Sequence, residues 1–206
     1  MRITLTQFLS VDGVVQSPGA PDEDPDGGFR HGGWVVPHID EGMGEAIDAI
    51  FAKAEAFLFG RRTYEIFAGH WPHVDDPDEP VAAQLNGLPK YVASTTLTEV
   101  SWSHASLLGR DVPAEVAELR SRPGGELQVH GSRGLAQTLM RHGLIDEYRL
   151  LVFPVVLGEG KRLFPEGSPP AGLRLIDSRR TARGIAVQHY ETVGQPPDGD
   201  VRTAAE

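Results

Sequence analysis

The stretch LQVHGSRGLAQTLM, residues 127–140, holds a short apolar run, a glycine-containing turn and an amphipathic segment, in that order. The run from Leu127 to His130 is typical of a buried strand, because it is short and mostly apolar. The residues after Gly134 place apolar side chains at helical spacing. A strand that passes through a turn into a helix is half of a β–α–β unit, which joins parallel strands. The stretch therefore predicts an α/β fold with this turn at the carboxyl end of one strand.

The rest of the chain repeats the alternation of strand and helix. We predict strands at 3–9, 56–59, 91–93 and 147–153, and helices at 40–54, from 63, at 112–120 and from 131. Two final strands, 173–181 and 185–191, flank a turn at 182–184 and should pair as an antiparallel hairpin. The expected sheet is thus mixed but mostly parallel. We expect one domain over residues 1–193 and a flexible tail at 194–206.

The composition excludes several classes of protein. The chain has 206 residues, of which 40% are hydrophobic and 23% charged, as is usual for one globular domain. Its formal net charge of −10 argues against general binding to nucleic acid or to acidic lipid. There is no cysteine and no apolar run long enough to span a bilayer, so we expect a cytoplasmic protein without disulfides. An anionic ligand would need a local cluster of arginines.

Three predicted strand ends carry glycine, hydroxyl or arginine side chains. Glycine lets the backbone approach a phosphate, a helix N-terminus offers free N–H groups, and arginine adds charge. Any single turn could need its glycine for backbone reasons alone. Because the carboxyl ends of parallel strands meet at one edge, the three together predict a site for a phosphate-rich ligand. The residues are Gly60, Arg61, Arg62 and Thr63; Ser94 and Thr95; and Gly131, Ser132, Arg133, Gly134 and Leu135.

Two other kinds of site are weaker interpretations. Residues 130–134 resemble the G-x-S-x-G turn of serine hydrolases with its first glycine replaced by histidine, so a hydrolase using Ser132 stays open. The chain is short for that fold, and no later histidine stands at a suitable place. We predict no metal site, because the HWPH sequence at 70–73 has no third ligand of obvious spacing.

Four motifs occur in an order that resembles the dihydrofolate reductase-like superfamily. They are GRRTYE (60–65), KYVAST (90–95), VHGSRGLAQTL (129–139) and PVVLGEGKRLF (154–164). Within that superfamily the chain looks like a stand-alone homologue of the reductase domain of the bacterial riboflavin-biosynthesis deaminase–reductase. The resemblance covers residues from about 2 to 191. It implies a three-layer dihydrofolate reductase-like fold, bound NADPH and a homodimer.

The resemblance also assigns roles to the three strand ends. Residues 60–63 would contact the adenosine 2′-phosphate and the pyrophosphate of NADPH, Ser94 and Thr95 would lie near the adenosine, and residues 131–135 would hold the pyrophosphate. The implied reaction is hydride transfer from NADPH to a C=N or C=O carbon of a small nitrogen heterocycle. A pteridine or a ribosylamino-pyrimidine, as in folate or riboflavin metabolism, would suit it. A non-catalytic NADP-binding module is the alternative.

The substrate side is less defined by the sequence. Asp40 follows Trp34 and Pro37 much as the catalytic carboxylate of folate reductases follows its Trp-x-x-Pro, with one residue more, but its position suits a helix N-cap equally well. Asp12 is a second candidate for proton delivery, or a turn residue. We expect Trp34, Phe29 and Val156 to line the substrate pocket; the two aromatic residues could instead pin the loop at 17–33 to the core. That loop is either a lid or plain surface.

Overall fold

The computed structural model describes residues 1–76, 79–196 and 198. In this part of the chain, eight strands form one sheet in the order β4-β3-β2-β5-β1-β6-β8-β7. The strands are β1 Arg2–Ser10, β2 Ala54–Gly60, β3 Lys90–Ala93, β4 Ala105–Leu107, β5 Glu126–His130, β6 Glu147–Phe153, β7 Gly172–Arg180 and β8 Ala186–Gly194. The strands from β4 to β6 pair in parallel, whereas β8 pairs antiparallel with both β6 and β7. The mixed sheet with its closing hairpin confirms the predicted fold class.

Helices cover both faces of the sheet. They are α1 Glu41–Phe51, α2 Arg61–Ala68, α3 Pro80–Gly87, α4 Val112–Ser121 and α5 Arg133–Arg141. The alternation of side chains along β2 shows how the layers are held, because Ala56 and Leu58 pack with residues of α4 and α5. Phe57 and Phe59 pack on the opposite face with residues of α2 and α3. The helix–sheet–helix arrangement is the three-layer one that the resemblance implies.

Two elements lie where the sequence predicted none. Helix α3 has low amphipathicity over VAAQLNG, yet Glu79 caps its N-terminus and its own Leu85 side chain is fully buried. Strand β4 is only three residues long and is held by its parallel pairing with β3. The hairpin strand β8 extends to Gly194, the first residue of the predicted tail, and residues 197 and 199–206 of that tail lie outside the described residues. No helix of the described chain is both long and apolar enough to cross a membrane.

Candidate active site

One large cavity lies at the carboxyl ends of the parallel strands. Its volume is about 1720 Å³, larger than the roughly 300–1,000 Å³ of common small-molecule pockets. Every residue of the three predicted strand-end segments lines it, including Gly60 to Thr63, Ser94, Thr95 and Gly131 to Leu135. The strands bring these segments together because β3, β2 and β5 are neighbours in the sheet. The cavity has room for a large ligand and a smaller one beside it.

The helix N-termini of α2 and α5 meet at this cavity. Thr63 joins them, since its Oγ1 accepts a hydrogen bond from the Ser132 backbone N–H at 3.0 Å and lies 3.2 Å from Ser132 Oγ. Gly131 and Ser132 both have left-handed backbone angles, with φ of 65° and 41°, which make the tight turn before α5. Two converging helix N-termini favour an anion, because each presents unpaired N–H groups and a partial positive charge.

The glycines of these segments have different roles. A Cβ at residue 60 would lie 2.2 Å from Ser132 Oγ, so Gly60 allows β2 to approach the turn closely. A Cβ at residue 134 would meet no atom within 4 Å. Gly60 therefore allows the protein's own strand and turn to pack together. Gly134 instead leaves open space at the start of α5, where a phosphate group of a ligand fits.

Arg61 and Arg62 are held by carboxylates in the structure. Arg61 donates to Glu65, one turn along α2, at 3.1 and 2.9 Å. Arg62 donates to Asp24 at 2.5 Å and to Asp26 at 2.6 Å, and Lys161 also pairs with both carboxylates. Hydrogen bonds from Lys161 and then Arg62 hold the pKa of Asp26 below its ordinary value. The predicted phosphate-binding cation Arg62 thus faces an acidic pair contributed by the loop at 17–33.

That loop is organised around the buried side chain of Gln16. Its Nε2 donates to the carbonyl oxygens of Asp24 and Asp26 at 2.8 and 2.9 Å, and its Oε1 accepts from the Lys161 N–H at 3.0 Å. The Gln16 carbonyl accepts from Trp34 Nε1 at 2.8 Å. The loop residues 17–20 and 22–24 line the cavity. The loop is therefore built onto the cavity wall, a placement that its polar sequence did not specify.

The structure places the predicted proton donors elsewhere. Asp40 is the N-cap of α1: Oδ1 accepts from the Met43 N–H at 2.9 Å and Oδ2 from the Arg183 N–H at 2.7 Å. The carboxylate of Asp12 accepts from Ser10 Oγ and from the backbone N–H groups of Leu157 and Gly158. Neither residue lines the cavity. Both carboxylates are committed to holding backbone segments together.

The other predicted substrate contacts also lie outside the large cavity. Trp34 is buried and meets Phe153 edge-on, so it pins the loop to the core. Phe29 is buried and lines a separate cavity of about 240 Å³ beside Gly160. Val156 is 68% exposed on the surface. The structure does not bring these residues to the strand ends.

The apolar half of the cavity is lined by side chains of the first helix, which the sequence places beside the substrate without singling out the individual residues. Helix α1 contributes Met43, Ile47 and Phe51 at successive turns, together with the exposed carboxylate of Asp48. Thr6 and Phe8 of β1 and His130 of β5 also line it. The apolar spacing on α1 was visible in the sequence, but it equally describes a helix packed on a core. The structure shows that part of this stripe faces the cavity.

Ser132 lacks the surroundings of a hydrolase nucleophile. In the described chain its side chain and N–H hydrogen-bond to Thr63, and no histidine is its partner. A serine nucleophile needs an adjacent base. Arg110, which follows β4 and lines the cavity with Ser94 and Thr95, is a further cation that the sequence reasoning did not single out.

Known proteins are similar to this chain in sequence or in structure. The uncharacterized protein YyaP of Bacillus subtilis (strain 168) is 27% identical over 193 residues, covering 92% of this chain and 95% of YyaP. A candidate riboflavin biosynthesis protein from Shewanella sp. PV-4 has a similar structure, with a TM-score of 0.65, 21% identity and coverage of 93% of this chain and 99% of that one.

A third similar protein is the diaminohydroxyphosphoribosylaminopyrimidine deaminase/5-amino-6-(5-phosphoribosylamino)uracil reductase of Thermotoga maritima. The TM-score is 0.58 at 12% identity, over 93% of this chain and 56% of that enzyme, so the chain spans little more than half of it. The sequence model of the RibD C-terminal domain matches residues 1–187. The chain therefore belongs to the RibD C-terminal domain family.

Proposed function

We propose that this protein is an NADPH-dependent reductase that transfers a hydride to a small nitrogen heterocycle of the pyrimidine or pteridine type. The observation that carries the proposal is the two-part character of one cavity. Its first part has converging helix N-termini, arginines and hydroxyl groups, which suit a phosphorylated nucleotide. Its second part is apolar with a few polar groups, which suits a flat ring. Membership of the RibD C-terminal domain family supports a reductase.

The residues fit the nucleotide in named places. The start of α5, with its open space at Gly134, would take the pyrophosphate. Arg61, with Ser94 and Thr95, would take the adenosine 2′-phosphate, because a guanidinium forms charge-assisted hydrogen bonds with phosphate oxygens. When bound, NADPH supplies the hydride. The residues of this chain align the two rings and exclude water from between them.

Arg62 can contact the nucleotide only if it gives up a hydrogen bond to one of its carboxylate partners. Its guanidinium is shared between Asp24 and Asp26 of the loop. A phosphate monoester carries more negative charge than one carboxylate and could take over one of these contacts, while Lys161 stays paired with both carboxylates. Nucleotide binding and the position of the loop at 17–33 are then coupled. We propose that the loop acts as a lid on this basis.

The substrate proposal follows from the apolar half and from the relatives. The name of the Thermotoga enzyme specifies a phosphoribosylamino-uracil as its reductase substrate, and a ring of that kind would pack between the apolar side chains of α1 and β1. Asp48 of α1 lines the cavity next to these apolar side chains and is our candidate for delivering the proton that accompanies the hydride. It replaces Asp40 and Asp12 in that role.

The test is a screen of acceptors with the purified full chain and NADPH. Candidates are dihydrofolate, a 5-amino-6-ribosylamino-uracil and simple pteridines, and the readout is loss of the reduced-nicotinamide absorbance. Turnover of a uracil or pteridine, and none with an ester substrate, is the expected result. Tight NADPH binding without turnover of any acceptor would support a non-catalytic module instead. Failure to bind either nicotinamide nucleotide would exclude both.

A further inference from the structure

Two polar residues lie side by side on the floor of the apolar half of the cavity. Thr6 of β1 and His130 of β5 are partners in the parallel register, so their side chains leave the same face of the sheet. Both line the cavity and both are more than nine-tenths buried, with 4% and 8% of their surfaces exposed. A pair of buried polar groups among apolar neighbours is how a pocket orients a ring-shaped ligand.

The orientation of His130 is determined by the polar network behind it. Gln128 donates through Nε2 to the Ile50 carbonyl at 2.6 Å and to a Glu126 carboxylate oxygen at 2.8 Å. Glu126 is itself held by two hydrogen bonds from Arg149, of 2.7 and 2.6 Å. The Gln128 Oε1 atom is therefore the acceptor end of the amide, and it lies 2.9 Å from His130 Nε2.

This network assigns the tautomer of the imidazole. An amide oxygen only accepts, so Nε2 of His130 carries the hydrogen and donates it. The Nδ1 atom then holds a lone pair and can only accept. Burial, together with the nearby charge of Arg149, lowers the pKa of His130 to about 3, so the ring is neutral at physiological pH. The ring is also stacked on Phe51 with a centroid distance of 4.3 Å, which restricts its rotation.

Thr6 complements this acceptor. Its hydroxyl is buried and has no hydrogen-bond partner among the described residues. A hydroxyl can donate one hydrogen bond, and leaving it unsatisfied in the interior is unfavourable. Among the described residues, neither the Thr6 hydroxyl nor Nδ1 of His130 has a hydrogen-bond partner, and Phe8 and Phe51 are among the apolar residues that line the same cavity.

We propose that Thr6 and His130 together recognise a lactam edge, an N–H next to a C=O, on the heterocycle that this cavity takes as substrate. The ring N–H donates to His130 Nδ1, and the adjacent carbonyl oxygen accepts from the Thr6 hydroxyl. The pairing selects oxo-pyrimidines and oxo-pteridines over rings that carry amino groups or N-alkyl groups on that edge. It rests on the proposed function for the claim that the ligand is reduced, but the binding site itself stands on the residues described above.

The test compares two probes that differ only at the lactam nitrogens. Binding of 5,6-diaminouracil and of 5,6-diamino-1,3-dimethyluracil to the full chain is measured by calorimetry, with and without saturating NADPH. The dimethyl compound lacks both lactam N–H groups. We expect it to bind at least about tenfold more weakly, the effect of one or two lost hydrogen bonds. Equal binding of the two probes, or no binding of either, would overturn the proposal.

Variants of Thr6 and His130 test whether these two residues cause the difference in affinity between the probes. Thr6→Val and His130→Gln should each weaken binding of 5,6-diaminouracil about tenfold and reduce the difference between the probes. His130→Asn keeps an acceptor near the position of Nδ1 and should retain most of the binding. Thr4→Val is the matched control, because Thr4 is on the same strand and face with an unpartnered hydroxyl but does not line the cavity. If Thr6→Val binds like Thr4→Val, the assignment is wrong.

The two proposals fail in different ways. If the protein binds 5,6-diaminouracil more tightly than its dimethyl analogue but does not bind NADPH, the lactam site stands and the reductase proposal is wrong. If NADPH binds and is oxidised by some acceptor while the probes bind equally, the reductase proposal stands and the lactam site falls. Circular dichroism of each variant shows whether it is folded, and the comparison of probes on the unaltered chain needs no variant.

Discussion

Asp12 shows how one carboxylate can join two distant segments. Burial raises its pKa, but hydrogen bonds from Ser10 and from the N–H groups of Leu157 and Gly158 outweigh this and hold the pKa well below 3.8. A carboxyl group with a lowered pKa in the folded state stabilises the protein above its unfolded pKa, and that stabilisation is lost as the pH falls through the folded pKa.

We therefore predict that Asp12→Asn lowers the free energy of unfolding by about 1–2 kcal/mol at neutral pH, since one or two charge-assisted hydrogen bonds are weakened. The difference from the unaltered chain should shrink as the pH falls below about 4, where the unfolded carboxyl is protonated. Urea denaturation at several pH values measures it, with the exposed Asp177→Asn as control. Unchanged stability combined with lost turnover would instead return Asp12 to a catalytic role.

Asp48 and Asp40 offer a matched pair on one helix. Asp48 lines the cavity, whereas Asp40 caps α1. We predict that Asp48→Asn slows turnover by about 10²-fold or more, because a positioned acid contributes at least that much, and leaves the thermal midpoint unchanged. Asp40→Asn should lower the midpoint and leave turnover unchanged. Steady-state kinetics and thermal denaturation of both variants measure these effects. Slower turnover in Asp40→Asn and a lower thermal midpoint in Asp48→Asn would contradict this assignment.

At the scale of single elements, the start of α5 separates packing from ligand binding. Gly134 faces open space, and alanine is the better helix former. We predict that Gly134→Ala keeps or raises the stability of the fold but weakens NADPH binding, because the methyl group enters the space for the pyrophosphate. Gly87→Ala at the end of α3, which also meets no atom within 4 Å and does not line the cavity, is the control and should leave NADPH binding unaltered. Equal effects of the two on nucleotide affinity would refute the phosphate site at α5.

The elements also show what a sequence can and cannot predict. The strand Glu147–Phe153 was predicted to the residue, and the three strand-end segments reached one cavity because parallel strands share their carboxyl edge. Helix α3 was missed because tertiary packing of its Leu85 side chain in the core, not periodicity, stabilises it. The backbone partners of Asp12 and Asp40, Gly158 and Arg183, could not be predicted because they are more than 140 residues away in the chain.

At the scale of the whole molecule, β7 is an exposed edge of the sheet. Leu173, Leu175 and Ile176 are 38%, 51% and 48% exposed, and the strand pairs on one side only, with β8. We propose that this edge forms the contact of the expected homodimer, since an open apolar edge strand readily pairs with another chain. Leu175→Glu should then convert dimer to monomer in light scattering after gel filtration. Val11→Glu, at another exposed apolar position, should not. A monomeric unaltered chain would reject the proposal.

The central claim is that this cavity binds NADPH through its arginines, and calorimetric titration tests it most directly. NADPH and NADH are titrated into the unaltered chain, into Arg61→Ala and into Arg141→Ala, an arginine at the far end of α5 that does not line the cavity. We predict that the unaltered chain binds NADPH at least about tenfold more tightly than NADH, because a hydrogen bond to a charged phosphate contributes about 1.5–3 kcal/mol. Arg61→Ala should remove most of this preference, and Arg141→Ala should leave it unchanged. Equal affinity of the unaltered chain for the two nucleotides would contradict the account.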